Sequence, residues 1–493
     1  MSKLDKDILF LILKELQEIR LRNDSISLYP CLLVNKTWCE ITVPILWKNP
    51  AGLYGLVNHG TTNNLLLNTI LLHLSKESRA NLKNQGIDRF AETYQQQPLF
   101  NYISFWRYLD LQLVENMIKS IENIDESKIS IIRNEIMNLF INRSTKFIAL
   151  SIPDHFDYQL HHISGAEHCF SGLKSLDSYS NINQNILIGL SRISKSIKEL
   201  TFKIRFCNNP DYSGIINLIE AQKILNEVYI IHCYSGRNES CKVIEESLIK
   251  SADNIHHLMI EREPITKFLS HLINLTNLTI GLQDRNDTNW SNLYGVSLPF
   301  LKVLKADYIP SNILASLIEN TKGNLTEISI SYNGDGRIFI QAIYQNCLNL
   351  KYLALSINND SFSEFEKLLI NCQHLNGLVI MDARNLYYDD LFKILIRSSP
   401  ISLFRFKFFF NTKYNHKLKY LKLFLDNWKN RHPILLHLIL VEYFADQHMK
   451  QKKRAKDLIE KCKDKGIIKH YDIPFSYLFE TFEWIKRKPD FYN

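Results

Sequence analysis

The sequence has 493 residues, too many for one compact core, so two or more domains or a repeat array are expected. Hydrophobic residues make up 45% and charged residues 22%, ordinary for a soluble globular chain, and no stretch approaches the roughly 18 uninterrupted apolar residues of a membrane span. The net charge of +8 is local: residues 401–493 hold 20 Lys and Arg against 10 Asp and Glu, the first 400 hold 39 against 41, and the basic end therefore suits an acidic partner.

At the N-terminus, Lys3, Asp5, Lys6 and Asp7 precede a helical pattern without a small-residue cleavage site, which does not read as a secretory signal. Nine cysteines, odd in number and lacking any C-x-x-C pair, fit a reducing compartment, cytoplasm or nucleus. Asp5 can cap a helix running to about Gln17. Ile8, Leu9, Ile12, Leu13 and Leu16 fall at spacings of three and four and form one apolar stripe. Phe10 and Leu11 widen it past half the circumference. So short and apolar a helix needs covering twice, by its own domain and by a partner. After a polar break from Arg20 to Ser27, Leu28 to Leu33 reads as a short apolar helix, Asn35 as a turn, and a further helix carries Trp38. Pro44 and Pro50 bracket Trp47 at the exit.

These residues resemble the F-box motif, whose pattern is L-P-x-E-x-L-x-x-I-F-x-x-L, a spacer, then V-C/N-[KR]-x-W. Leu4, Asp7, Ile8, Leu9, Ile12, Leu13 and Leu16 match the first part, and Leu32, Val34, Asn35, Lys36 and Trp38 the second. Asp5 stands where the family has proline, in the loop that touches the adaptor. Pro44-Ile45-Leu46-Trp47-Lys48 is similar to the segment after this motif in fungal F-box proteins. The resemblance covers residues 1–48. It implies a three-helix hook that docks a Skp-type adaptor and through it a cullin ubiquitin ligase. The adaptor-binding residues it implies are Leu4, Ile8, Leu9, Ile12, Leu13, Leu16, Leu32, Val34 and Trp38. Without the resemblance, the same leucines read as the core of a small helical cap.

Residues 49–144 show no Leu-x-x-Leu-x-Leu strand. Helical spacing recurs at Leu65 to Leu74, at Phe105, Trp106, Leu109 and Leu113, at Val114 to Ile118 and at Ile131 to Ile141, so this region is expected to be a helical linker with an aromatic core. From 145 to 445 a repeat takes over. It is clearest where Asn346-Cys347 leads into Leu350, Leu353 and Leu355, and Asn371-Cys372 leads into Leu375, Leu378 and Ile380, 25 residues later. A period in that range marks a leucine-rich solenoid, in which each unit buries its apolar side only against its neighbours. About twelve repeats are expected, from Ile148 and Leu150 to Leu435, Leu438 and Leu440. Apolar residues at helical spacing between the strands, as at Asn312 to Glu319, make each unit strand plus helix. The expected fold is an α/β leucine-rich-repeat horseshoe, parallel strands on its concave side and helices outside, preceded by the small all-α hook and linker. Residues 446–493, with a basic amphipathic helix at Lys450 to Lys465, are expected to cap it.

Side chains between the core leucines face the open side of such a sheet. There the alternation places Lys203, Arg205, Tyr229, Lys305, Tyr352, Arg405, Lys407 and Phe409, a polar and aromatic mixture suited to a protein substrate. Other signals are weaker. His155, His161, His162 and His168 match no zinc spacing, and Asp154, Asp157 and Glu167 make that stretch a solvated loop. Gly334-Asp335-Gly336 lacks the third glycine of a dinucleotide loop, and no nucleophile elbow, HExxH or phosphate loop occurs. Cys347 and Cys372 read as small buried groups. Lys450, Lys452, Lys453 and Arg454 could meet phosphate, but Asp446, Asp457 and Glu460 interrupt them, which argues against nucleic acid. No cofactor, metal or membrane is called for. The sequence reads as a non-catalytic F-box/leucine-rich-repeat substrate receptor of a ubiquitin ligase. The alternative is a repeat scaffold without a ubiquitin role.

Overall fold

Helix α1 (Lys6–Arg20), a 3₁₀ turn (Tyr29–Leu33) and helix α2 (Lys36–Leu46) open the computed structural model. It describes residues 5–20, 28–50, 60–87, 98–121, 125–205, 210–232, 241–281, 289–331, 335–381, 386–411, 417–441 and 445–473. The chain divides into two compact units, Met1–Leu225 and Asn226–Lys486.

In the first unit, Leu9 and Leu13 of α1 close on Leu28, Ile45 and Leu46, with Leu16, Leu32, Trp38 and Trp47 packed around them. Asn35 starts α2 as its N-cap: the Trp38 N–H donates to Asn35 Oδ1 at 3.1 Å. An asparagine three residues before a tryptophan thus has a mechanical purpose, since it satisfies a first-turn donor and sets the indole against the core. The exit is tied down at two points. Trp47 packs on Tyr102 with ring centroids 4.4 Å apart, and the Arg107 N–H donates to the Lys48 carbonyl at 3.0 Å. Helices at Gly60–Leu71, Lys76–Asn84, Leu111–Lys119 and Glu126–Phe140 come next. Trp106 stacks on Phe140 at 4.4 Å, and Arg133 grips Glu115 with two bonds of 2.6 and 2.8 Å.

Strands β1 (Tyr108–Asp110), β2 (Ala149–Ile152), β3 (Ser175–Tyr179) and β4 (Glu199–Ile204) lie side by side in chain order, all parallel. β1 lies within the region expected to be wholly helical. Its one core residue, Leu109, pairs with Leu150, too little apolar alternation to mark a strand in sequence.

The second unit continues the plan. β5 (Glu227–His232), β6 (His257–Ile260), β7 (Asn277–Gly281), β8 (Val303–Asp307) and β9 (Glu327–Ser331) are followed by β10 (Tyr352–Ser356), β11 (Gly377–Met381), β12 (Arg405–Asn411), β13 (Ile434–Val441) and β14 (Ile468–Asp472). Each pairs in parallel with the next, and the order does not close. The register stacks like on like: Ile328, Leu353, Leu378, Phe406 and Leu436 form one row, all fully buried. At roughly 1.5–3 kcal/mol for each such side chain, rows of this kind supply the main driving force. The same backbone bond recurs at each strand's start: Thr276 N–H to the His256 carbonyl, Lys302 to Thr276, Thr326 to Lys302, Lys351 to Thr326 and Asn376 to Lys351, all 2.8–2.9 Å.

The crossovers are helical at Lys242–Ile249, Ser311–Glu319, Arg337–Asn346, Phe362–Asn371, Tyr388–Ser398, Lys417–Asn427 and Ala445–Asp464. The last of these holds the expected basic helix, but the chain then returns to the sheet as β14, where only a helical cap was expected. Ile-Lys-His-Tyr-Asp is too polar to announce a strand, as suits the last partner in a row. Residues 474–493 of the expected cap lie outside the described residues.

Candidate binding surfaces

The N-terminal hook splits its apolar stripe in two. Leu9 and Leu13 point into its core, with Leu16, Leu32 and Trp38 half-buried beside them. Ile8 (52% exposed), Leu11 (59%) and Ile12 (43%) line the outer face, joined by Leu33 (89%) and Val34 (55%) from the following turn. Of the adaptor-binding residues expected from sequence, Ile8, Ile12 and Val34 are therefore presented. Leu9 and Leu13 are corrected to structural residues, because a side chain enclosed in its own core cannot meet a partner. Leu4 lies outside the described residues. Phe10, Leu11 and Leu33 are exposed as well and were not among the expected residues, although Leu11 lies three residues after Ile8 on the same helical face. Together they make an outward apolar face on a small unit.

The open face of the first unit is a polar ladder. Asp110, Ser151, Asp177 and Thr201 share a row. Ser151 Oγ donates to Asp177 Oδ2 at 3.1 Å, and Lys203 Nζ donates to the same oxygen at 3.2 Å. The Lys203 ammonium sits 4.9 Å from the Tyr179 ring centre and the Arg205 guanidinium 5.1 Å from it, while Arg205 pairs with Asp154 at 3.0 Å. Burial pushes the Asp110 carboxyl above its ordinary range, against the pull of the Leu113 and Gln112 amides. Lys203 and Arg205, expected to reach a substrate, are thus already held by Asp177, Asp154 and Tyr179. Sequence reasoning named the two cations but not the anions and ring that fix them.

On the second unit's face, Tyr229 donates to Glu227 Oε2 at 2.9 Å. Lys305 lies close to Asp307 and Glu327, whose carboxyls burial raises while the lysine draws them back. Arg405 donates to the Tyr352 hydroxyl at 3.0 Å and lies 5.1 Å from the Phe404 ring. Beside them Ala354, Val379, Phe409 and Ile439 form a buried apolar cluster flanked by Tyr352 and Met381. Lys407, between Val379 and His437 in its row, has no accessible surface at all. Lys407 and Phe409 were expected to offer open contact surface; both are enclosed instead.

Of the histidines near residue 160, His155, His162 and His168 are exposed and His161 is half-buried. The His161 and His162 rings are 4.1 Å apart, and burial lowers the His161 imidazole below its usual value. Among the described residues no group of three or more His, Cys, Asp or Glu is placed to hold a metal, and no helix is long and apolar enough to cross a membrane. Cys347 and Cys372 are buried, their thiols pushed up to about 12 by desolvation. The chain matches no protein-family model, and no curated protein is detectably similar to it in sequence.

Proposed function

We infer that the protein is an F-box/leucine-rich-repeat substrate receptor, working in the cytoplasm or nucleus, that docks a Skp-type adaptor through the outer face of α1 and presents a protein substrate from its sheet. The observation that carries this reading is the division of the N-terminal stripe, with Leu9 and Leu13 consumed by the hook's core and Ile8, Leu11, Ile12, Leu33 and Val34 facing solvent. The parallel strands with helical crossovers support the leucine-rich-repeat part, because each strand buries its leucines only against the next unit. The receptor needs no reacting groups of its own: by holding a target lysine near a charged ubiquitin carrier it raises effective concentration. Co-purification of the full chain with a recombinant Skp-type adaptor, and loss of that complex on Leu11→Asp, is the expected result. No complex with any such adaptor would refute the ubiquitin role and leave the protein an interaction scaffold.

A further inference from the structure

The first 400 residues are close to neutral, with 39 Lys and Arg against 41 Asp and Glu, yet one edge of the first unit is strongly basic. Segments 142–148, 168–174 and 192–198 connect helix ends to the starts of β2, β3 and β4, and they stack on one another. The Lys174 N–H donates to the Ile148 carbonyl at 2.7 Å, the Lys198 N–H to the Lys174 carbonyl at 2.8 Å, and Ser194 Oγ to the Phe170 carbonyl at 2.7 Å. Arg143, Lys146, Lys174, Arg192, Lys195 and Lys198 are all exposed along this edge, and the three segments contain no Asp or Glu. Ion pairs of the unit lie elsewhere, as at Arg133–Glu115, Lys203–Asp177 and Arg205–Asp154, and none among the described residues involves these six. The nearest acids in sequence, Glu167 and Glu199, are two against six. The ends of helices Glu126–Phe140, Ala166–Phe170 and Gln184–Ile193 add at most about half a negative charge each, too little to balance the edge. Lys174 and Lys198 even stand side by side on neighbouring strands, an arrangement that costs stability.

We propose that this edge binds the phosphodiester backbone of a nucleic acid without reading its sequence. The exposed positions of the three segments hold no apolar or aromatic side chain, so charge is what the edge offers. An acidic polypeptide gains little from charge alone, because exposed ion pairs contribute little each and no apolar anchor adds to them here. A nucleic acid differs: its charge density holds condensed counterions, and each phosphate neutralised by a lysine or arginine releases them. The absence of exposed aromatics leaves no platform for stacked bases, which selects the backbone as the contact.

The test is fluorescence anisotropy of the full chain with labelled DNA and RNA duplexes of unrelated sequence, each about 20 base pairs long. Both should bind, and a preference between them above about 10-fold would overturn a contact made to the backbone alone. The edge spans two strand spacings, about 10 Å, which covers about three phosphates of one strand, so affinity should fall about 40-fold between about 50 and 200 mM salt. A Lys146→Gln/Lys174→Gln/Lys198→Gln variant with unchanged circular dichroism should bind at least about 10-fold more weakly, with a flatter salt dependence. A Lys453→Gln/Lys456→Gln/Lys461→Gln control on the basic helix Ala445–Asp464 should bind within about 2-fold of the parent. No binding to either duplex at low salt, undiminished binding by the first variant, or loss in the control instead would overturn the proposal. So would equally tight binding to a polyglutamate peptide or to phosphatidylserine vesicles, which would make the partner an acidic protein or a membrane. A second measurement uses the unaltered chain: lysine acetylation read by mass spectrometry, with and without excess DNA duplex. Lys146, Lys174 and Lys198 should be protected by the duplex and Lys453 should not; the opposite pattern, or no protection, would overturn the assignment. Neither readout involves α1 or the sheet face, so the outcome is independent of the receptor reading.

Discussion

Leu13 and Leu11 lie two residues apart on one helix and should respond to truncation in opposite ways. Leu13 is fully enclosed among Leu9, Leu28, Ile45 and Leu46, so Leu13→Ala removes buried carbons and leaves a cavity, costing about 2–5 kcal/mol. Leu11 is more than half exposed, and Leu11→Ala should change stability by less than about 0.5 kcal/mol. Binding reverses the order. On the receptor reading Ile8, Leu11 and Ile12 each offer roughly half their surface to the adaptor, so truncating each to alanine forfeits about 1 kcal/mol of burial, at about 0.8 kcal/mol per methylene. The triple alanine variant should therefore lose about 3 kcal/mol, or about 100-fold in Kd. Thermal melting gives the first quantity and titration calorimetry with a Skp-type adaptor the second. A triple variant that binds as tightly as the parent, or a Leu13→Ala variant that loses binding without a fall in Tm, would refute the division of the stripe.

Packing and charge elsewhere dictate three further outcomes. Gly189 lies in a helix, where alanine ordinarily gains about 1 kcal/mol, but its Cβ would sit 2.1 Å from His161 Cγ; Gly189→Ala should instead lower Tm by an amount matching about 1–3 kcal/mol, and a stabilised variant would show the His161 ring to be loosely held. Burial, reinforced by the Arg262 guanidinium, holds the His232 imidazole down at about 3 from its ordinary 6.5, so the unfolded chain binds the extra proton between those values. Stability should therefore fall as pH drops from about 6.5 toward 3, at up to about 1.4 kcal/mol per pH unit, and denaturant titrations on His232→Asn should show that part of the slope gone. Iodoacetamide at mildly alkaline pH should label half-exposed Cys31 and Cys39 and spare Cys347 and Cys372, whose thiols stay protonated; their modification before global unfolding would contradict the buried placement.

The twelve strands from β2 to β13 could be read in the sequence because their core residues sit two apart on one side of each pleat, as Leu353 and Leu355 or Phe406 and Phe408 do. Alternation fails for β1 and β14, where Leu109 and Ile468 stand among polar residues and neighbouring backbone, not side-chain pattern, supplies the order. The hook was legible in composition but not in orientation. A helix apolar around most of its surface does not say which leucines turn inward until Leu28, Ile45 and Leu46 arrive to choose Leu9 and Leu13. Lys407 shows the same limit: alternation puts it with Arg405 and Phe409 on the open side of its strand, and only three-dimensional burial shows it enclosed.

The protein thus carries two apolar faces in opposite conditions. Ile8, Leu11 and Ile12 face water, whereas Val379, Phe409 and Ile439 do not. An apolar face in water is open to a partner without any prior opening step. A face already enclosed binds a newcomer by exchange, so its apparent affinity is reduced by the fraction of molecules in which it is open. On the receptor reading, adaptor docking should therefore proceed in a single step whose rate is proportional to adaptor concentration. A substrate that uses Val379, Phe409 and Ile439 must instead first open an enclosed face, so its capture should saturate in rate with concentration. Stopped-flow traces linear in concentration for both partners would show that no opening step precedes the substrate.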